Sequence, residues 1–270
     1  MIHRLKMEAG EPTRNLGIGA PAPRDRLILG GTLLAIVALS WGYLVLMDAH
    51  MEAMLTHGAT MADVSRPWAV RDLAFTLLMW VVMMIGMMAP AAAPVLHLYA
   101  KAQAGRGRSP VAATLWFASG YALAWSAFSA VATLAQWLLH LAALLSPTLA
   151  ASSPLLGGML LCAAGAYQFT PLKRVCLIHC RSPLGFLLSR WRDGPLGAFG
   201  MGLRHGAYCL GCCWALMALL FVAGVMNLLW IAALALLVLV EKAAPRGLVV
   251  GRVAGAVMLG VGIGVLLGGW

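Results

Sequence analysis

Polar residues along this chain are confined to short intervals between long apolar runs. The runs fall near 26–47, 72–99, 112–138, 154–170, 207–224, 227–241 and 249–268. Most approach the length of about 20 apolar residues that carries a helix across roughly 30 Å of hydrocarbon, and shorter runs are tolerated inside a bundle. None alternates with the period of two expected of a membrane-barrel strand, and only helices and closed barrels satisfy the backbone in lipid. The pattern therefore predicts an all-α, polytopic transmembrane helix bundle of about seven spans. The fifth and sixth runs meet at Gly224 and Asn227. They read either as one helix broken there or as two spans joined by a very tight turn.

Composition agrees with this picture. Of 270 residues, 62% are hydrophobic and only 10% charged, and the mean hydropathy is +0.87. Soluble domains are close to half apolar, so a water-soluble fold is excluded. Residues 1–25 form a polar tail without a small-residue cleavage site after it, which predicts an uncleaved first span. Residues 26–270 then form a single transmembrane domain. The net charge of +10 points to orientation, not to nucleic acid, since no nucleic-acid motif accompanies it. With alternate gaps assigned to alternate sides, 17 of the 19 Lys and Arg residues share the side of the N-terminal tail, and only Arg66 and Arg71 face the other. The positive-inside rule then places the N-terminus in the cytoplasm and the C-terminus outside. Merging the fifth and sixth runs weakens this split.

The gap at 171–206 is the longest on the cytoplasmic side. Within it Leu184, Leu187, Leu188 and Trp191 recur at helical spacing beside Arg181, Arg190 and Arg192, as in a short interfacial helix; an ordinary structured loop is the alternative. Gly251, Gly255, Gly260 and Gly264 in the last run resemble small-residue helix packing.

Cysteine changes the picture most. Cys176, His179 and Cys180 form C-x-x-H-C in the long gap, and Cys209, Cys212 and Cys213 form C-x-x-C-C at the start of the fifth run. Disulfides are rare in a reducing cytosol, and clustered thiols there bind metal or do redox chemistry. On a helix His205, Cys209 and Cys213 share one face, with Cys212 beside them. Thiolates are soft ligands that select Cu(I) or Zn(II), and imidazole suits both metals. Dithiol redox chemistry and simple packing remain the other readings, packing being the expectation for Cys162, which stands alone.

Methionine adds a second donor type. Met79, Met83 and Met87 repeat every fourth residue beside Met84 and Met88, ahead of Pro90 and Pro94. Thioethers bind Cu(I) without burying charge, so the row is a weaker candidate set, with core packing as the competing reading. The external gap offers Met47, His50, Met51, Met54, His57 and Met61 beside Asp48 and Glu52, either a copper-collecting segment or an amphipathic surface helix. His97 and His140 are isolated and read as interfacial. Glu241, next to Lys242, is expected to pair with that lysine or an arginine. No Walker, dinucleotide or aspartyl-phosphate signature is present.

The segments MWVVMMIGMMAP (79–90), KRVCLIHCRSP (173–183), GAYCLGCCWALM (206–217) and GVMNLLWIAALALLVLVEK (224–242) together resemble a family of bacterial polytopic proteins described as predicted metal-binding integral membrane proteins. The resemblance runs from the second span to the sixth and implies a metal role without a defined substrate. The expected function is a metal-handling protein of the bacterial inner membrane. Copper(I) is the leading ion and zinc the second, held by Cys176, Cys180, Cys209, Cys212 and Cys213 with His179 and His205 as auxiliaries. Expected partners are the lipid bilayer, the ion, and a metallochaperone or membrane protein. A membrane thiol oxidoreductase and a non-catalytic assembly subunit with a structural zinc site are the alternatives, and no catalytic residue is assigned.

Overall fold

The computed structural model describes residues 19–56, 68–144 and 153–268. His57 and Met61 of the external Met/His segment lie outside these residues, as do the side chains of Glu52 and Met54 and most of the N-terminal tail. Among the described residues the fold is all-α. The helices are α1 (Pro23–Thr56), α2 (Val70–Ala104), α3 (Pro110–Leu141), α4 (Pro154–Tyr167), α5 (Pro171–Arg181), α6 (Pro183–Arg190), α7 (Gly194–Ala218), α8 (Leu220–Ala223), α9 (Leu228–Ala243) and α10 (Gly247–Leu266).

Their boundaries follow from local chemistry. Proline opens α3, α4, α5 and α6, where its missing N–H has no intrahelical partner to lose. The Thr170 hydroxyl caps α5 by accepting from Lys173 N–H at 3.3 Å, and the Asn227 side chain caps α9 by accepting from Trp230 N–H at 3.0 Å. Gly224, at φ +99°, ends α8 in a conformation that side chains disfavour. The fifth and sixth runs are thus separate helices joined by a tight turn, not one broken rod.

Among the described residues, five stretches are long and apolar enough to cross a membrane: Pro23–Met51, Val70–Ala104, Pro110–Leu141, Gly194–Ala223 and Gly247–Leu266. A sixth results if α4 and α5, bent by 64° at their junction, count as one. Against about seven runs in the sequence, length and composition therefore support five or six crossings. The difference lies in α9, whose 16 residues rise about 24 Å, short of the hydrocarbon thickness, and in α4, which is too short alone. The gap at 171–206 is not a loop: α5, α6 and the start of α7 fill it. In α6, Phe186 and Leu187 are buried while Leu184 and Leu188 are exposed, and Trp191 follows the helix instead of lying on it.

Glycine governs the close crossings. On α7 a Cβ at Gly202 would strike the Phe117 carbonyl of α3, and one at Gly206 would stand 2.6 Å from Ala124 Cβ. A Cβ at Gly120 of α3 would in turn strike the Phe199 carbonyl. α4 and α10 meet the same way through Gly158, Gly165, Gly255 and Gly262. The glycine row expected in the last run is therefore only partly used. Gly255 sits in this crossing and Gly251 faces Glu241, but a Cβ at Gly260 or Gly264 would meet nothing within 4 Å. Many leucines and valines face outward, while Met79, Met83, Met84, Met87 and Met88 fill the interior beside Trp80 and Trp125.

Candidate metal centre

α7 turns Cys209, Cys212 and Cys213 inward, each no more than 2% exposed. α5, after the 64° bend, lies against α7 and brings the other thiols to it. The Cys180 side chain comes within interaction range of both Cys209 and Cys212. Cys176 Sγ lies 2.7 Å from the point a Cβ at Gly211 would occupy, so glycine at 211 leaves it room. The Gly211 carbonyl accepts the Tyr167 hydroxyl. The two cysteine motifs, separated in sequence by the whole of α6, thus meet in space. None of the six cysteines forms a disulfide.

Two further groups converge on Cys209. Lys242 Nζ donates to its sulfur at 2.8 Å, and the Tyr121 hydroxyl lies 3.0 Å from the same atom and 3.3 Å from the Met88 carbonyl. The thiols of Cys212 and Cys213 both donate to the Cys209 carbonyl at 3.0 Å, the back-bonding habit of short polar side chains on helices. Among the described residues, no three His, Cys, Asp or Glu side chains stand in a finished metal-holding arrangement. Binding an ion here requires these thiols to lose their protons and turn from the carbonyl. The donor chemistry is nonetheless that of a soft cation: clustered sulfurs, no carboxylate among them, and a compensating ammonium.

The histidines separate. His205 is 3% exposed, ringed by Phe117, Tyr121 and Phe186, and its Nδ1 has no partner. His179 bonds the Val175 carbonyl through Nδ1 at 2.9 Å and stacks on Tyr208 with ring centroids 4.5 Å apart. Of the two auxiliaries, only His205 keeps a buried nitrogen free of a partner. Met83, Met84, Met87 and Met88 are all buried in the core cluster that also contains Cys209, Cys212 and Cys213. Cys162 packs against Gly262 in the α4–α10 crossing.

The expected local pairing of Glu241 is corrected. Its carboxylate accepts from Lys173 Nζ at 2.7 Å, with both side chains almost fully buried, while Lys242 turns to Cys209. Sequence reasoning also missed Tyr121. Neither residue carried a signal, because each reaches the thiols only once α3 and α9 have packed against α7.

A family model described as PpoB2, copper chaperone, matches residues 77–265. No curated protein matches the chain, and no solved structure does either.

Proposed function

We propose, from the premise that this chain belongs to the PpoB2 copper chaperone family, that it binds Cu(I) within the membrane on Cys209 and Cys212 of α7 together with Cys180 of α5. The observation that carries this reading is the convergence of Cys180 on both α7 thiols with an ammonium already seated against Cys209. Cu(I) favours thiolate ligands, which must be deprotonated to bind. Three thiolates and one Cu(I) leave a net charge of −2, and Lys242 offsets one unit of it. That offset matters because an uncompensated charge inside a bilayer or a protein interior is costly.

In this reading Cys176 and Cys213 are adjoining thiols able to share the ion, and the free nitrogen of His205 is the remaining auxiliary. The buried row Met83, Met84, Met87 and Met88 packs the core and supplies neutral soft donors beyond the thiols. Counted over all seven apolar runs, with α9 taken as a crossing, the concentration of Lys and Arg on one side supports a multi-pass protein of the bacterial inner membrane, with its N-terminus and the thiol cluster toward the cytoplasm.

The test is anaerobic loading with Cu(I) and elemental analysis of the full chain in mild detergent, beside a variant with Cys209, Cys212 and Cys213 changed to serine. One equivalent of copper that disappears in the variant is the expected result. No copper in either sample overturns the reading. If reversible oxidation of Cys180 with Cys209 or Cys212 appears in the same copper-free protein, the contact among these thiols favours dithiol redox chemistry instead. Zinc in place of copper assigns a structural role.

A further inference from the structure

Away from the thiols, a cavity of about 230 Å³ opens between the end of α6 and the first turns of α7, with Arg190, Arg192 and Arg204 in its wall beside Ser189 and Gly200. The wall is held from behind: the Arg192 N–H donates to Met201 Sδ at 3.1 Å, and Trp191 lies under the Arg106 guanidinium at 4.0 Å. The acid next in sequence is committed elsewhere. Asp193 accepts from Arg108 at 2.6 Å, from Arg106 at 3.3 Å and from the Trp191 indole N–H at 3.1 Å. The indole and then the two guanidiniums hold its carboxyl below the usual carboxylate range, so it stays ionised and engaged with them. No carboxylate pairs with Arg190, Arg192 or Arg204 among the described residues.

Exposed leucines neighbour these wall residues in the chain. Leu188, Leu196 and Leu203 are 49%, 81% and 37% exposed. The stretch Gly194–Ala223 has 30 residues, which rise about 45 Å against about 30 Å of hydrocarbon. With Ala223 at the far boundary, its first ten or so residues extend past the near one, and Arg204 stands at the level of the headgroups. Three guanidiniums at that depth, next to exposed leucines, match a phosphate on an acyl-bearing molecule, because guanidinium forks bind phosphate oxygens in pairs.

We propose that this cavity is a binding site for a phosphate-bearing anion, the headgroup of an anionic phospholipid, gripped by Arg190, Arg192 and Arg204 with its acyl chains descending past Leu203 into the hydrocarbon. The site shares no residue with the thiol cluster. It fixes the junction of α6 and α7 to the membrane surface.

Native mass spectrometry of the full chain, equilibrated separately with phosphatidylglycerol, phosphatidylcholine and inorganic phosphate, tests the site. The wild type is expected to retain phosphatidylglycerol over phosphatidylcholine. An R190Q/R192Q/R204Q variant is expected to lose at least about tenfold of that retention, the worth of one charge-assisted hydrogen bond, while R252Q on α10 retains it unchanged. Phosphate retention that is lost in the triple variant, with no preference for phosphatidylglycerol, supports the arginine site and assigns a free anion as its occupant. Equal retention of phosphatidylglycerol by the triple variant and the wild type overturns the proposal. So does an absence of any preference together with no phosphate binding. If the triple variant fails to fold, judged by thermal unfolding, R204Q alone gives the same comparison.

Discussion

Glu241 and Lys242 are consecutive, yet the carboxylate reaches Lys173 at 2.7 Å and the ammonium reaches Cys209 at 2.8 Å. Successive side chains on a helix diverge by about 100°, so neighbours in the chain rarely face one another. That geometry explains what the sequence concealed. The thiols themselves were legible, because three cysteines within five residues on one helical face announce themselves, and so does C-x-x-H-C. Their charged partner was not, since its identity depends on how α9 rotates against α7. Changing Lys242 to methionine is expected to weaken Cu(I) binding by about 10- to 100-fold, the usual cost of losing a group that supports metal ligands; K242R is expected to lose less. Competition with a chromogenic Cu(I) chelator under anaerobic conditions measures both, and unchanged affinity in K242M would remove the ammonium from the site. C180S is expected to cost more affinity than C176S in the same assay, since Cys180 meets two thiols whereas Cys176 abuts Gly211.

At the scale of elements, the apolar runs located the crossings well because hydropathy alone specifies a membrane helix. Which runs cross fully was less legible. α4 and α5 lie in adjoining segments, and their 64° bend falls at the break where Thr170 caps α5, a detail that apolar length does not encode. Glycine spacing was similarly ambiguous: a row of glycines in a sequence does not state which of them meets a neighbour. G202A is expected to destabilise by about 1–3 kcal/mol through overpacking against Phe117, seen as a lower thermal midpoint in detergent. G260A, with open space around it, is expected to stay within about 0.5 kcal/mol. Equal midpoints for the two variants would mean that the α3–α7 crossing is looser than its geometry.

Across the whole molecule, α5 is tied to α9 by buried charge. Lys173 meets the Glu241 carboxylate in a buried pair, and nearer the surface Arg181 donates to the carbonyls of Glu241 and of Pro245, just past α9, at 2.7 and 3.0 Å. Removing one partner of a buried pair leaves the other uncompensated, so K173M is expected to destabilise by about 3–5 kcal/mol, and the K173M/E241L double variant to recover most of it. Thermal unfolding of the three proteins decides the point; a double variant no better than K173M would show that the pair is not an isolated unit.

The bend between α4 and α5 also shapes how an ion would arrive and depart. Cys176 and Cys180 ride on an 11-residue helix turned away from the axis of the helix before it, while Cys209, Cys212 and Cys213 belong to a helix that crosses. Swinging α5 outward like a jaw would part the two halves of the thiol set and leave the long crossings in place. The resistance to that motion comes from the polar contacts to α9, the thiol contacts, and the burial of Leu177 in the core. If the proposed site holds Cu(I), the ion would be released by unclasping one side, with no need for a channel or for unfolding.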